Sequence, residues 1–266
     1  MSKFIIDSHA HIFPEKIAEK ASVNIGKFYD LKMDFDGSVK KLLEIGEKNG
    51  IDKFLVQSVA TVPHQVSHIN DFIAEQVSLY PDKFIGFASL NPDMDNPEEE
   101  IERVIKLGLK GIKLHPDFQH FAINEPKACR LYEAVGDKLP FLIHTGDSRY
   151  KYSNPPLMAE IAKKYPRVRF IAAHFGGWSE WDSAESCLCG LENVWVDSSS
   201  SFYEMPPERA VELIEKYGAD RVFFGTDYPM WDAKDELEYI DKLPLNDNAK
   251  EKLLWKNISD FLQLGL

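Results

Sequence analysis

The stretch FIIDSHAHIF, residues 4–13, sets two histidines one residue apart behind a run of apolar residues. Residues i and i+2 of a β-strand point to the same face. If KFIID, residues 3–7, is a strand, its end presents His9 and His11 side by side. Two neutral imidazoles on one face can hold one metal ion. The competing reading is a polar strand end with two exposed histidines, and the rest of the chain has to decide.

Seven further runs have the same character: KFLVQSVA, FIGFASL, LKGIKLH, PFLIHTG, RFIAAHFG, VWVDSSS and RVFFGTDYP. Each is nearly continuously apolar, as parallel strands buried on both faces are. Helical patterns lie between them. Residues 39–48 follow the turn residues Asp36 and Gly37, and 66–79 stop before Pro81. Residues 98–107 begin beside Pro97 and end at Gly108, and 126–135, 156–165 and 206–217 repeat that logic. After Asp232 the chain reads as helical through to Phe261. Eightfold strand–helix alternation predicts one α/β domain over residues 1–266, a single (β/α)8 TIM barrel. An open doubly wound sheet is the alternative, but no G-x-G-x-x-G follows the first strand. The longest connection, residues 14–37, is expected to carry a helix and a loop over the barrel mouth. Phe28 and Tyr29 there are either pocket walls or packing residues.

The net charge is −12 over 266 residues, which argues against nucleic acid as a partner, since that needs a basic face. The apolar runs are strand-sized, so no membrane span is expected. The start runs straight into the first strand without a leader pattern, which predicts a cytoplasmic protein. Cys129, Cys187 and Cys189 are odd in number and fit reduced thiols. A homodimer is the base-rate expectation for the assembly.

Chemistry in such a barrel sits at the C-terminal strand ends. Strand one ends in His9 and His11, strand four in Lys113 and His115, strand five in His144, strand six in His174 and strand eight in Asp227. Five of the eight histidines thus converge on one end of the barrel, which favours the metal reading. His9, His11 and His144 supply neutral nitrogen donors, and Asp227 can bind the ion and its water. A bound water would lose its proton near neutral pH, Asp227 would carry that proton to the leaving group, and His174 would polarise the substrate or orient the nucleophile. One divalent ion is expected, zinc first and manganese second. Gly146, Gly176, Gly177 and Gly225 let the backbone turn tightly beside these ends.

This ordered set resembles the amidohydrolase superfamily of metal-dependent (β/α)8 barrels. The segments GIKLHP, HTG, AHFGG and DRVFFGTDYP look like the branch that includes aminocarboxymuconate-semialdehyde decarboxylase-like enzymes. The resemblance runs from Asp7 to Pro229 and specifies the superfamily, not a substrate. KLHP also looks like the fourth-strand segment of dihydroorotase, where a carboxylated lysine bridges two metals. Lys113 is therefore read either as such a bridge or as an unmodified lysine paired with an acid near the rim, and the branch resembled implies one metal.

For the substrate, Lys113, His115, Arg149, Trp178 and Tyr228 are the candidate contacts. Arg149 would bind a carboxylate, and the aromatic residues would wall a small, partly apolar molecule. The leading expectation is a hydrolase of a C–N or C–O bond in a small carboxylic or cyclic substrate. The alternative is a non-oxidative decarboxylase or hydratase on the same barrel. A non-catalytic binding protein should have lost a ligand or the strand-eight acid, and all five are present.

Overall fold

Eight apolar runs become eight parallel strands that neighbour one another in chain order. The computed structural model describes residues 4–266, so Lys3, the first residue of the expected first strand, lies outside the described residues. The strands are β1 (Ile6–His11), β2 (Lys53–Gln57), β3 (Phe84–Ser89), β4 (Gly111–Leu114), β5 (Phe141–Ile143), β6 (Phe170–Ala172), β7 (Val194–Asp197) and β8 (Val222–Phe223). Backbone hydrogen bonds close the ring between β8 and β1: Ser8 N donates to Phe224 O at 2.8 Å, Asp227 N to His9 O at 2.8 Å, and His11 N to Tyr228 O at 2.7 Å. The fold is the expected (β/α)8 barrel, and closure rules out the open sheet.

Among the described residues, ten α-helices accompany the strands up to residue 242. They are α1 (Ala18–Tyr29), α2 (Val39–Asn49), α3 (Val66–Leu79), α4 (Pro97–Lys106), the single turn α5 (Pro116–Gln119), α6 (Pro126–Val135), α7 (Pro155–Lys164), α8 (Trp181–Leu188), α9 (Pro207–Tyr217) and α10 (Ala233–Lys242). Local chemistry sets their ends. The Ser38 side chain caps α2 by accepting from Lys41 N, and Gly50 closes it at φ 69°. Helix α4 starts on Pro97, carries three glutamates in its first turn and ends on Arg103 and Lys106, which suits its dipole. Helix α8 is not foreseen in the sequence. It has eight residues, no starting proline and no side-chain cap, so it lacks a start signal. The chain finishes with α11 (Asp247–Glu251), a π turn over Lys252–Lys256 and α12 (Asn257–Leu262).

Strand residues alternate between two cores. Leu55, Phe87, Leu142, Ile171 and Phe223 fill the barrel, and Ile258 and Phe261 of α12 plug its lower end. Their neighbours Phe54, Ala88, Phe141, Phe170 and Val222 face the helices. Stepping two residues along the inner face leads from Leu142 to His144 and from Phe223 through Gly225 to Asp227. On β4, Ile112 and Leu114 face outward, which turns Lys113 and His115 inward.

Strand β1 breaks this rhythm. Ile6 is an inner residue, yet Ala10 belongs to the outer core. Asp7 pairs with Phe54 and Ala10 with Val56, so three residues of β1 span two of β2. This bulge reverses the facing, and both histidines turn into the barrel. The buried Asp7 carboxylate holds it. Oδ1 accepts from His9 N and Thr226 N, both at 3.0 Å, and Oδ2 accepts from Thr226 Oγ1 at 2.6 Å. At Gly225 an added Cβ would meet the His9 Cβ at 2.9 Å, so β8 passes β1 closely only as glycine.

Replacing Thr226 by Val should lower stability by about 2–3 kcal/mol, because Asp7 Oδ2 and Tyr228 N–H both lose their partner. Urea unfolding measures it. A midpoint equal to that of the parent chain would mean that this tether does not hold the seam.

Candidate active site

Asp197, at the end of β7, fixes the first imidazole. His9 Nδ1 donates to Asp197 Oδ2 at 2.9 Å. A carboxylate only accepts, so the proton sits on Nδ1 and the His9 Nε2 lone pair faces the barrel axis. The Ser199 hydroxyl also donates to Asp197, as do the backbone N–H groups of His174 and Ser199, both at 3.1 Å. Burial alone would raise the Asp197 carboxyl, but His9 and His174 outweigh it and hold it well below the usual carboxylate range.

Three donors converge beyond His9 Nε2. It lies 3.3 Å from His11 Nε2 and 3.4 Å from Asp227 Oδ1, and His11 Nε2 lies 3.5 Å from that same oxygen. Ligands around a tetrahedral ion at bond lengths of about 2.1 Å stand roughly 3.4 Å apart, so this trio has the spacing of a metal shell. The Asp227 backbone is left-handed at φ 61°, and its Oδ2 accepts from Ser200 Oγ at 2.6 Å. Burial opposes ionisation of Asp227, yet His9, His174 and His11 bring it down to about 2. Burial pushes His11 well below its ordinary value, with Lys113 adding to it, and leaves a neutral ligand-type imidazole.

Lys113 is fully buried in this site, not at the rim beside an acid. Its Nζ lies 3.0 Å from His9 Nε2. Burial lowers it to about 8, against the pull of Asp227 and Asp197.

His174 and His144 form a second pair. His174 Nδ1 donates to the Ser199 carbonyl at 3.0 Å, so its Nε2 accepts from His144 Nδ1 at 2.9 Å. The remaining lone pair, on His144 Nε2, is buried without a hydrogen-bond partner among the described residues, 3.6 Å from Asp117 Oδ2. His144 therefore stands beside the trio rather than within it. Burial lowers His174 to about 4 and His144 well below its ordinary range.

A cavity of about 140 Å³ opens above these groups. His9, His11, Lys113 and Asp227 form its floor, and Phe13, Ile25, Tyr29, Met33 and Phe118 stand among its walls. His115 caps α5 by accepting from Phe118 N at Nδ1, and its Nε2 lies 2.9 Å from the Tyr29 hydroxyl. Trp178 borders a side cleft with Tyr29 and Asp227, its ring 5.0 Å from that of Tyr29.

Two expected substrate contacts point elsewhere. Tyr228 is buried against Phe35, and its hydroxyl donates to Ser38 O at 2.8 Å, because its backbone is committed to the β8–β1 seam. Arg149 grips the buried Asp147 with Nε at 2.9 Å and Nη2 at 2.8 Å, while Nη1 donates to Phe28 O at 2.9 Å. Its guanidinium also lies 5.3 Å from the Tyr29 ring centre. It clamps the end of α1 to the loop after β5. That loop can approach only at Gly146, where φ is +94° and a Cβ would meet Trp178 N at 2.4 Å. Asp197, Ser199 and Ser200 are site residues that the reading of strand ends passes over, although VWVDSSS places Asp197 at such an end.

A closed parallel barrel with imidazoles and carboxylates gathered at the C-terminal strand ends defines a metal-site (β/α)8 enzyme class. Within that class the chain belongs to the amidohydrolase family, whose model matches residues 6–264. It is similar to the gamma-resorcylate decarboxylase of Polaromonas sp. (strain JS666 / ATCC BAA-500), 23% identical over 254 residues, covering 74% of this chain and 75% of the relative. It is also similar to the 2-amino-3-carboxymuconate-6-semialdehyde decarboxylase of Dictyostelium discoideum, 25% identical over 337 aligned positions and covering 97% and 91%. Among solved structures, the fold matches a dihydroxybenzoic acid decarboxylase from Polaromonas sp. JS666 with bound manganese and the inhibitor 2-nitroresorcinol. That match has a TM-score of 0.74, 18% identity, and coverage of 99% and 98%. The chain is an amidohydrolase-superfamily enzyme with decarboxylases among its relatives. No helix among the described residues is long and apolar enough to cross a membrane.

Arg149→Ala should speed amide exchange across the last turn of α1 by about tenfold, since a bidentate charge-assisted clamp is lost. Hydrogen exchange read by mass spectrometry tests this. Unchanged protection there would show that packing alone seats the helix.

Proposed function

We propose that this chain is a metal-dependent, non-oxidative decarboxylase of a small monocyclic, ring-hydroxylated carboxylic acid. The observation that carries the reading is a ring-sized cavity, largely apolar in its walls, ending on the His9–His11–Asp227 trio with the Lys113 amine beside it. A cavity of about 150 Å³ is enough to take up benzene, which makes one ring a fitting occupant. The decarboxylase names of the relatives favour this reading over the hydrolysis expected first.

His9, His11 and Asp227 would hold one divalent ion, zinc or manganese, and His144, the fourth ligand proposed from the sequence, stands next to them. Bound there, the ion supplies Lewis-acid polarisation of substrate oxygens. The chain's own groups do the rest. Lys113 fixes an anionic oxygen of the substrate over the floor. The apolar walls strip water from the carboxylate, which favours its departure as neutral carbon dioxide. Asp227, ionised at rest, takes the proton of the ring hydroxyl and returns it to the carbon that bears the carboxylate. The ring–carboxylate bond then breaks, its electron pair flows back into the ring, and a phenolate and carbon dioxide leave. His174, held by Ser199 and His144, keeps the site's proton pattern fixed.

Elemental analysis should find about one zinc or manganese per chain, with Lys113 unmodified in the intact mass. His9→Ala should lose the ion, and Asp197→Asn should weaken its binding by about 10- to 100-fold. A chain that takes up neither metal sinks the proposal, and two equivalents with a carboxylated Lys113 would favour cyclic-amide hydrolysis instead.

Carbon dioxide release from a panel of carboxyl-labelled hydroxybenzoates tests the reaction itself. Asp227→Asn should lower turnover by a factor of about 10²–10⁴. Hydrolysis of an amide or lactone panel without any label release would return the hydrolase.

A further inference from the structure

The two oxygens of the Asp227 carboxylate have different surroundings. Oδ1 lies 3.4 Å from His9 Nε2 and 3.5 Å from His11 Nε2, while Oδ2 accepts from Ser200 Oγ at 2.6 Å. The backbone alone does not impose this division. Asp227 N donates to His9 O at 2.8 Å, and its carbonyl accepts from Met230 N at 2.9 Å. Those bonds fix Cα, but the carboxylate still turns about a torsion with a broad, twofold preference. Ser200 is buried at φ 47°, and its hydroxyl has one proton to place. Trp231 Nε1 donates to Ser200 Oγ at 2.9 Å. An indole N–H never accepts, so it takes an Oγ lone pair and leaves the hydroxyl proton to find an acceptor. Met230 Sδ offers one at 3.5 Å, but the ionised Asp227 Oδ2 is closer and makes the stronger, charge-assisted bond. Trp231 is anchored in turn. Its ring stacks on that of Tyr203 at 4.5 Å, and the Tyr203 hydroxyl accepts from Trp178 Nε1 at 3.0 Å. The loops after β6, β7 and β8 thus meet in one chain of contacts that ends on Asp227 Oδ2.

We infer that Ser200, its proton directed by Trp231, is the positioning residue that keeps Asp227 on the floor by one oxygen and so leaves a coordination position of the ion open to the substrate. This rests on reading the His9–His11–Asp227 trio as a metal floor. A carboxylate binds a divalent ion through one oxygen or through both. Binding through both would fill one more position and close it to a substrate oxygen. Oδ2 must give up its bond to Ser200 before it can turn to the ion, and the buried hydroxyl would then be left without that acceptor. Ser200 and Trp231 touch neither the ion nor the substrate in this scheme; they act through Asp227.

Water-proton relaxation of the whole chain, loaded with manganese supplied in excess, counts the waters on the ion. Manganese has about six positions, and three protein donors, or four if His144 joins, leave two or three for water. Ser200→Ala should lower the relaxivity of the bound manganese by about a third to a half, as Asp227 Oδ2 displaces one water. Competition with a chelator should find the manganese held at least as tightly as in the parent chain. Ser200→Gly, which suits the left-handed backbone, should behave in the same way. Trp231→Phe, which keeps the stack on Tyr203 and removes the N–H, should shift the relaxivity in the same direction by less. Unchanged relaxivity in the loaded serine variants overturns the role of Ser200. So does manganese held more weakly with its waters intact, which marks a merely loosened site. Serine variants that do not load at all overturn it too, since the hydroxyl would then build the shell rather than choose the oxygen. A Trp231→Phe value equal to that of the parent overturns the role of Trp231. If the parent chain itself takes up no manganese, the metal-floor reading falls and this inference falls with it.

Discussion

Four donors meet on one buried carboxylate, that of Asp197: the His9 imidazole, the Ser199 hydroxyl and two backbone N–H groups. Those donors come from the ends of β1, β6 and β7, so a single side chain registers three strands against one another. The carboxylate also chooses the His9 tautomer, and with it the direction of the lone pair at the floor. A carboxylate so fully satisfied stays ionised despite complete burial. Its negative charge offsets part of the positive charge that a divalent ion would bring. Support of this kind around a ligand is what gives a metal site its geometry.

The second determinant is a counting irregularity. A regular β1 would send His9 and His11 toward the helices, on the same face as Ile5. The extra residue of the bulge turns them inward, and Asp7 makes that irregularity tolerable by accepting from both sides of the β8–β1 seam. Site and closure are therefore one construction. Thr226 holds the bulge, Asp227 follows it immediately, and Asp227 N donates to His9 O.

The barrel is legible in the sequence because its signals are local: apolar runs, period, prolines at helix starts and glycines after helix ends. The same locality exposes His9, His11, His144 and Asp227, each within a few residues of the end of an apolar run. The inward turn of the H-x-H is not legible in this way, because a bulge depends on pairing with β2. Lys113 shows the limit from the other side. Its face is readable from β4 parity, but its place against His9 depends on how strands four and one meet. Arg149 looks like a carboxylate binder until Asp147, two residues earlier, is seen to take its guanidinium. The Tyr29–His115 contact joins residues 86 apart and leaves no local trace. Helix α8 is missed for the opposite reason, as a short element with no boundary chemistry.

The barrel is sealed at two places far apart along the chain. The Asp7–Thr226 tether joins residues 219 apart, and the lower end is stoppered by Ile258 and Phe261. During synthesis β1 leaves the ribosome with its edge unpaired on the β8 side and with its inner face uncovered. The edge waits for residues 222–228, and the stopper waits for residue 261. Strands two to seven can zip progressively, each against its predecessor, but His9 cannot meet Asp227 until the ring shuts. The competence to bind a metal is thus a late kinetic event, and a nascent chain halted before β8 would present a half-made ring with an open edge, the kind of surface on which chaperones act.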